Sequence, residues 1–327
     1  MTSAEPSATL PLILLWDDLW IDVDEARSAA AGSCRISIDR SDFDRADAVV
    51  FPVPITGHRL PTTRASPRQV WVQWSQESAV HYPLLREPSF DERFDLRMTY
   101  RLDSDVPIPY FAPDIFESLP ALVPIADRHD VLVSAWVSSR HDRCGRDDYL
   151  RGLMGSMPVH SYGRVGRNIR VENDTGQPTK LATIARYRFT LALENAVDRD
   201  YVTEKFFQPL LVGSVPVYRG AGNVARFAPA PSSYIDADDF ARPAALAQFL
   251  QSMTDEQYAG YHEWRDRGPR RAWRARFAPF RTHAFVRLAH AVRVVAIGLS
   301  AAAANDRGDA RPRSSPRDRR PPGESGR

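Results

Sequence analysis

The sequence predicts an α/β protein with two parallel sheets, each covered by helices on both faces. Short apolar runs of strand length recur along the chain, and stretches with a helical period stand between several of them. A proline-rich segment of little periodicity divides these runs into two groups. At 327 residues the chain also exceeds what one hydrophobic core usually holds, so two domains with a cleft between them are expected.

In chain order, strands are expected at 12–16, 48–53 and 70–74, then at 131–137, 189–193 and 215–218. Each is a nearly continuous apolar run, as a strand buried on both faces requires. Helical patterns cover 147–154, 203–212 and 244–253. The stretch from Pro107 through Pro113 to Pro124 is the expected boundary, giving a first domain over 1–125 and a second over 126–270. A C-terminal helical segment is expected over 271–304, with Phe285, Leu288, Val292 and Val295 on its apolar face. Residues 305–327, rich in Arg, Pro, Ser, Gly and Asp, read as a disordered tail.

The formal charge of +2 conceals an arginine-rich end, so the folded part is close to neutral. That argues against nucleic acid as the main partner, because a phosphate-tracking surface shows as a basic excess. Only Cys34 and Cys144 are present, which excludes a disulfide framework and a four-cysteine zinc site. With no basic region at the start and an apolar run at 10–16 too short to span a bilayer, the expectation is a cytoplasmic protein. On that reading the Asn173-Asp174-Thr175 sequon is accidental. The basic tail, assisted by the preceding helix, could hold the protein peripherally at the inner face of a membrane; the alternative is that this helix packs back on the domains.

The stretch 187–218 reads as strand, loop, helix and strand. In an open parallel sheet ligands bind beyond the carboxyl ends of the strands, which is where the loop from Glu194 to Tyr201 must lie. The next helix has Thr203 as N-cap and Gly213 as its stop. Its unpaired N–H groups suit a phosphate, and Lys205 in the first turn adds a full positive charge. A lysine there is disfavoured by the helix dipole, so a bound anion would explain its placement; a solvated surface lysine is the alternative. Glu204 is either dipole-favoured or an acceptor for ribose hydroxyls.

Phe189-x-Leu-x-Leu-Glu194-Asn195, Tyr201-Val-Thr-Glu204-Lys205, Gly213-x-Val-Pro-Val217 and Gly220 resemble the signature of the α-1,3/4-fucosyltransferase family, and the resemblance extends over residues 70–295. It implies a GT-B architecture, two Rossmann-like domains facing across a cleft. The first would be the acceptor side, and the second would hold GDP-fucose for inverting transfer. Carried over residue by residue, Lys205 would hold the pyrophosphate and Glu204 the ribose. Asn195 and Tyr201 would line the nucleotide and fucose pocket, with Glu194 and Arg188 among the donor-binding residues. Ser138-Ser139 to Arg146 resembles the family's Ser-Asn loop and makes Arg146 the second pyrophosphate cation, although Arg140 and Arg143 in the same loop could replace it. The sequence departs from the pattern where Ser139 stands for the usual asparagine and Arg188 for lysine.

Inverting transfer to a hydroxyl needs one general base, and the leaving diphosphate needs positive charge. Glu77, just past the apolar strand 70–74, resembles the glutamate of the family's Glu-Ser-Pro segment, with Ala79 in place of the proline. It is the expected base, with a solvent-exposed loop glutamate as the alternative. Trp74, Ser78 and Tyr82 are the candidate acceptor-side residues. Asp103-Ser104-Asp105 has the look of a metal motif but sits in a segment that resembles the acceptor domain. No metal is therefore assigned, no cofactor is expected, and manganese or magnesium would be at most stimulatory. The resemblance implies an oligosaccharide acceptor containing N-acetylglucosamine. A transferase of another nucleotide sugar, or a lapsed nucleotide-sugar-binding module, would keep Lys205.

Overall fold

Continuous apolar runs form the middle of two sheets. The structure, a computed structural model, describes residues 9–18 and 20–308, the last helix without side chains beyond 299. The first sheet contains β1 (Leu12–Leu15), β2 (Arg35–Ser37), β3 (Ala48–Pro52), β4 (Val70–Ser75) and β5 (Leu96–Thr99) in the order β2-β1-β3-β4-β5. The second contains β6 (Val133–Ala135), β7 (Val159–Ser161), β8 (Phe189–Leu193), β9 (Val215–Arg219) and β10 (Ile235–Asp236) in the order β10-β9-β8-β6-β7. Every pairing is parallel, with Val49 opposite Trp71 in one sheet and Leu191 opposite Val217 in the other. Each half thus carries its loops for ligands at the carboxyl edge of its sheet.

The six strands expected from sequence are the three central strands of each sheet. The four that sequence reading missed, β2, β5, β7 and β10, are the edges. An edge strand is covered less completely, so its polar residues obscure the apolar run; β2, with Arg35 exposed, shows this most plainly.

The helix Glu204–Val212 follows β8 and begins at Thr203, whose hydroxyl accepts from Lys205 N. It ends at Gly213, with φ of 80°. A side chain there would be strained, and its Cβ would come 2.3 Å from Leu122 Cδ2. The proline-rich segment is more than a spacer. Phe111 packs on Phe207 with ring centroids 4.2 Å apart, and Phe116 lies edge-on to Trp264 at 5.1 Å.

The C-terminal segment is helical and packs back on the domains, but in two pieces. It contains the helix Arg271–Phe277, a turn at Ala278–Arg281 and a second helix, Ala284–Gly308, which runs past the expected end at 304. Trp273 and Phe277 join the aromatic cluster around Phe111 and Phe227. Phe285, Leu288 and Val292 are buried in the core of the first sheet with Ile13, Val72 and Met98, and Val295 packs against them. These side chains are therefore enclosed by protein rather than offered to a membrane. Among the described residues no single helix is long and apolar enough to cross a bilayer. The tail proposed to contact the membrane lies, from residue 309 on, outside the described residues.

Candidate active site

The carboxyl end of β8 leads directly into Glu194, which is fully buried. Its Oε1 accepts from Thr203 N at 2.7 Å and its Oε2 from the Thr203 hydroxyl at 2.8 Å. A Cβ at position 220 would lie 2.6 Å from Glu194 Cγ, which explains why glycine stands there. Burial pushes the Glu194 carboxyl above its ordinary range, opposed by the charge of Lys205. Glu194 is thus a support beneath the site, touching Thr203 and Lys205, and not itself a residue of the cleft wall.

Lys205 Nζ lies 2.9 Å from the Thr203 hydroxyl, 3.2 Å from Glu204 Oε1 and 3.5 Å from Glu194 Oε2. Burial alone would lower its pKa, but the two carboxylates outweigh that and raise it, so the ammonium stays charged. An anion is therefore not required to explain a lysine at this helix start; Glu194 and Glu204 already compensate it. Conversely, Lys205 and Lys180 hold the Glu204 carboxyl below its usual range despite burial. Of the 43 basic residues only Lys180 and Lys205 are lysines: Lys205 lines the cleft, and Lys180 lies behind it within electrostatic reach. Lys180 sits on the helix Gln177–Ile184, half-buried and within electrostatic reach of Glu204, Lys205 and Glu194. Burial lowers its pKa, and Lys205 adds to this. It was not singled out from sequence, although the scarcity of lysine was a signal in plain view.

A cleft of about 400 Å³ opens above this cluster, lined from the second half by Ser139, Asn195, Tyr201, Thr203, Glu204 and Lys205. The first half closes it with Glu77, His81, Tyr82 and Tyr110. Asn195 is 9% exposed and its Oδ1 is buried without a hydrogen-bond partner among the described residues, an acceptor ready for a ligand. Tyr201 packs edge-on against Tyr100 with ring centroids 5.0 Å apart, and its hydroxyl donates to Glu77 Oε2 at 3.2 Å. His81 and His141 face one another from the two halves with ring centroids 5.7 Å apart, a pair no local motif signals.

Glu77 stands in the turn after β4, where Ser75 Oγ accepts from Glu77 N at 3.0 Å. It also lines a second cavity of about 270 Å³, bordered mostly from the first half by Ser75, Arg86, Arg97, Tyr100 and Arg101 and from the second half by Asp198. The carboxylate thus belongs to both cavities. Asp103, on the wall of the second cavity, is held by Arg101 at 2.8 Å. Asp105 accepts from Arg97 N at 2.7 Å. Among the described residues no group of three His, Cys, Asp or Glu side chains converges as metal ligands would.

Several expected positions lie elsewhere. Arg146 is only 1% exposed, with Nη2 donating to the carbonyl oxygens of Ser139 and His141. It braces the loop, its buried Nε having no hydrogen-bond partner among the described residues, whereas Arg140 and Arg143 are exposed on it. The start of the helix Arg146–Met154 is occupied by Asp142, which accepts from Arg146 N and Asp147 N. Arg188 precedes the first residue of β8 and pairs with Asp255 at 2.7 Å. A five-residue strand at roughly 3.3 Å per residue separates it from the cleft, so it is not a donor-binding residue. Trp74, 3% exposed, belongs to the core of the first sheet rather than to an acceptor surface. Ser78 is fully buried and donates to Asp198 Oδ2 at 2.9 Å, joining the two halves. Of the acceptor-side candidates only Tyr82 reaches the cleft.

Residues 126–293 match the family model for glycosyltransferase family 10 (fucosyltransferase), C-terminal part, and residues 8–111 match that for the fucosyltransferase N-terminal part. The chain is 33% identical over 287 residues to 4-galactosyl-N-acetylglucosaminide 3-alpha-L-fucosyltransferase FUT6 of Pongo pygmaeus, covering 81% of this chain and 76% of that protein. It is 36% identical over 255 residues to alpha-(1,3)-fucosyltransferase 7 of Rattus norvegicus, covering 75% and 66%. A crystal structure of an alpha1,3-fucosyltransferase with GDP-fucose superposes with a TM-score of 0.57 at 16% identity, covering 87% of this chain and 94% of that one. The fold is the GT-B arrangement of two Rossmann-like halves.

These relatives also correct the expected cytoplasmic placement, since they are lumenal Golgi enzymes rather than cytoplasmic ones. Cys34, buried in the first half, and Cys144, in the second, are both free and do not meet, so they do not bear on the compartment. The accidental reading of the sequon at Asn173, which is exposed, rested on the same premise and is withdrawn with it.

Proposed function

The chain belongs to glycosyltransferase family 10, the fucosyltransferases, and on that premise we propose that it moves L-fucose from GDP-fucose in α-1,3 linkage onto an N-acetylglucosamine-containing glycan, with Glu77 as general base. One observation carries the residue assignment. Glu77 lines both the cleft that holds Asn195 and Lys205 and a separate cavity formed mainly by the first half, with Asp198 of the second half on its wall. A base for this reaction has to stand where donor and acceptor meet.

In this reading the acceptor hydroxyl lies in the second cavity and gives its proton to Glu77 as its oxygen attacks the anomeric carbon of fucose. Attack comes from the face opposite the diphosphate, so the bond to GDP breaks with inversion. The Tyr201 hydroxyl, donating to Glu77 Oε2, orients the carboxylate and leaves the other oxygen for the proton. Charge developing on GDP is met by Lys205, with Lys180 as the second ammonium beside it. Arg146 contributes from beneath, as a charge near Lys205 and as the brace of the backbone at Ser139 and His141. Asn195 Oδ1 accepts from the nucleotide sugar, and Glu204, two-fifths exposed, takes the ribose hydroxyls. With two lysines at the diphosphate, the reading calls for no divalent ion.

The test is a screen of GDP-fucose, GDP-mannose and UDP-sugars against an N-acetyllactosamine acceptor, with the product linkage read by NMR. Turnover with GDP-fucose and an α-1,3 product is the expected result. Transfer from a UDP-sugar alone, or tight GDP binding without turnover on a panel of glycans, would overturn it.

A further inference from the structure

Asp198 lies in the loop between Asn195 and Tyr201, yet its carboxylate is engaged almost wholly by the other half of the molecule. Its Oδ2 accepts from the Ser78 hydroxyl at 2.9 Å, the Tyr100 hydroxyl at 2.9 Å and Arg86 Nη2 at 2.8 Å. The side chain is 7% exposed. A buried carboxylate is tolerated only where donors satisfy it, and here three donors from the first half converge on one oxygen. The next residues continue the seam. Arg199 approaches Asp103 at 3.8 Å, and Asp200, fully enclosed, accepts from Leu102 N at 3.1 Å.

The donors are not scattered. Ser78 is the residue after Glu77, and Tyr100 packs on Tyr201, whose hydroxyl meets Glu77. Asp198, Ser78, Glu77, Tyr201 and Tyr100 therefore form a closed ring of contacts with the base in it. Resting on the reading of Glu77 as the base, we propose that Asp198 is a positioning residue for the transfer: carried on the donor loop, it grips the turn after β4 and holds Glu77 at the boundary of the two cavities.

Without Asp198 two buried hydroxyls and Arg86 lose their shared acceptor, and the turn is free to shift. A displacement of about 1 Å at a reacting group is enough to lower a rate about a hundredfold. Donor binding need not suffer, because Lys205 and Asn195 are held by other contacts.

The experiment measures transfer kinetics, GDP affinity and thermal unfolding for Asp198→Ala, Asp198→Asn, Tyr100→Phe and Glu77→Gln in the full chain, with Asp198→Ala also placed on the Glu77→Gln background. Asp198→Ala is expected to lower kcat about tenfold to a hundredfold, with KM for GDP-fucose and GDP affinity within about twofold of wild type. Asp198→Asn, which keeps one acceptor oxygen, should fall between. On the Glu77→Gln background Asp198→Ala should lower the rate little further, because it acts through that base. Transfer by Asp198→Ala within about twofold of wild type, or a loss as large on the Glu77→Gln background as on wild type, overturns the proposal. So does loss of GDP affinity in step with kcat, the mark of a merely structural tie. If Asp198→Ala does not fold, Asp198→Asn and Tyr100→Phe are read by the same criteria. Wild-type transfer by Glu77→Gln overturns the base assignment and this proposal together; an impaired Glu77→Gln beside unimpaired Asp198 variants overturns this proposal alone.

Discussion

The Tyr201 hydroxyl donates to Glu77 Oε2 at 3.2 Å, so the loop after β8 in one half reaches the turn after β4 in the other. If Glu77 takes the acceptor proton, Glu77→Gln keeps the shape of the site and lowers transfer roughly 10² to 10⁴-fold, the usual share of general-base catalysis. Tyr201→Phe removes one orienting hydrogen bond and should lower kcat less. Initial rates with GDP-fucose and acceptor measure both. Near-normal transfer by Glu77→Gln would move the search for a base to Asp103 on the wall of the second cavity.

The two lysines give separable effects. Lys205→Ala should weaken GDP binding by about 1.5–3 kcal/mol, the worth of a charge-assisted contact. It should also lower thermal stability, because buried Glu194 loses its cation. Lys180→Met should weaken GDP binding by a smaller amount and spare stability, since its ammonium is not paired so closely. Calorimetric titration with GDP decides between them; unchanged affinity in Lys180→Met would remove that lysine from the site.

His262 provides a pH signature of the fold. Burial first, then the charges of Arg128 and Arg265, pull its pKa from 6.5 to about 4. Between those values the unfolded chain binds a proton that the folded protein refuses, so stability falls as pH drops from 6.5 towards 4 and this contribution levels off below. Replacing His262 by phenylalanine should flatten that part of the profile of melting temperature against pH. A profile of unchanged slope would show that other groups account for it.

The helix Ala284–Gly308 tests the packing of the C-terminal segment on the first half. Leu288 is fully buried in the first core, so Leu288→Ala should destabilise by about 2–5 kcal/mol in chemical unfolding. Ile297, 72% exposed, lies away from that core, and Ile297→Ala should stay within about 0.5 kcal/mol of wild type. Equal effects from the two would contradict the docking of this helix.

By itself the sequence determined what depends on neighbours along the chain. The central strands β1, β3, β4, β6, β8 and β9 are legible because a strand covered on both faces must be apolar throughout. The loop and helix start carrying Asn195, Tyr201, Glu204 and Lys205 are legible because strand, turn and cap follow one another within a few residues. Tertiary structure decided everything that depends on which surface a residue meets. It put Trp74 into a core, Arg188 at the far end of its strand and Arg146 onto the carbonyls of its own loop, and it brought Lys180 within electrostatic reach of Lys205. It also joined Asp198 to Ser78 across 120 positions of sequence. A local pattern reports the direction of the chain and the periodicity of its side chains. Which end of a sheet, which side of a loop and which distant donor a residue meets are fixed only when the two sheets pack and their loops meet across the cleft.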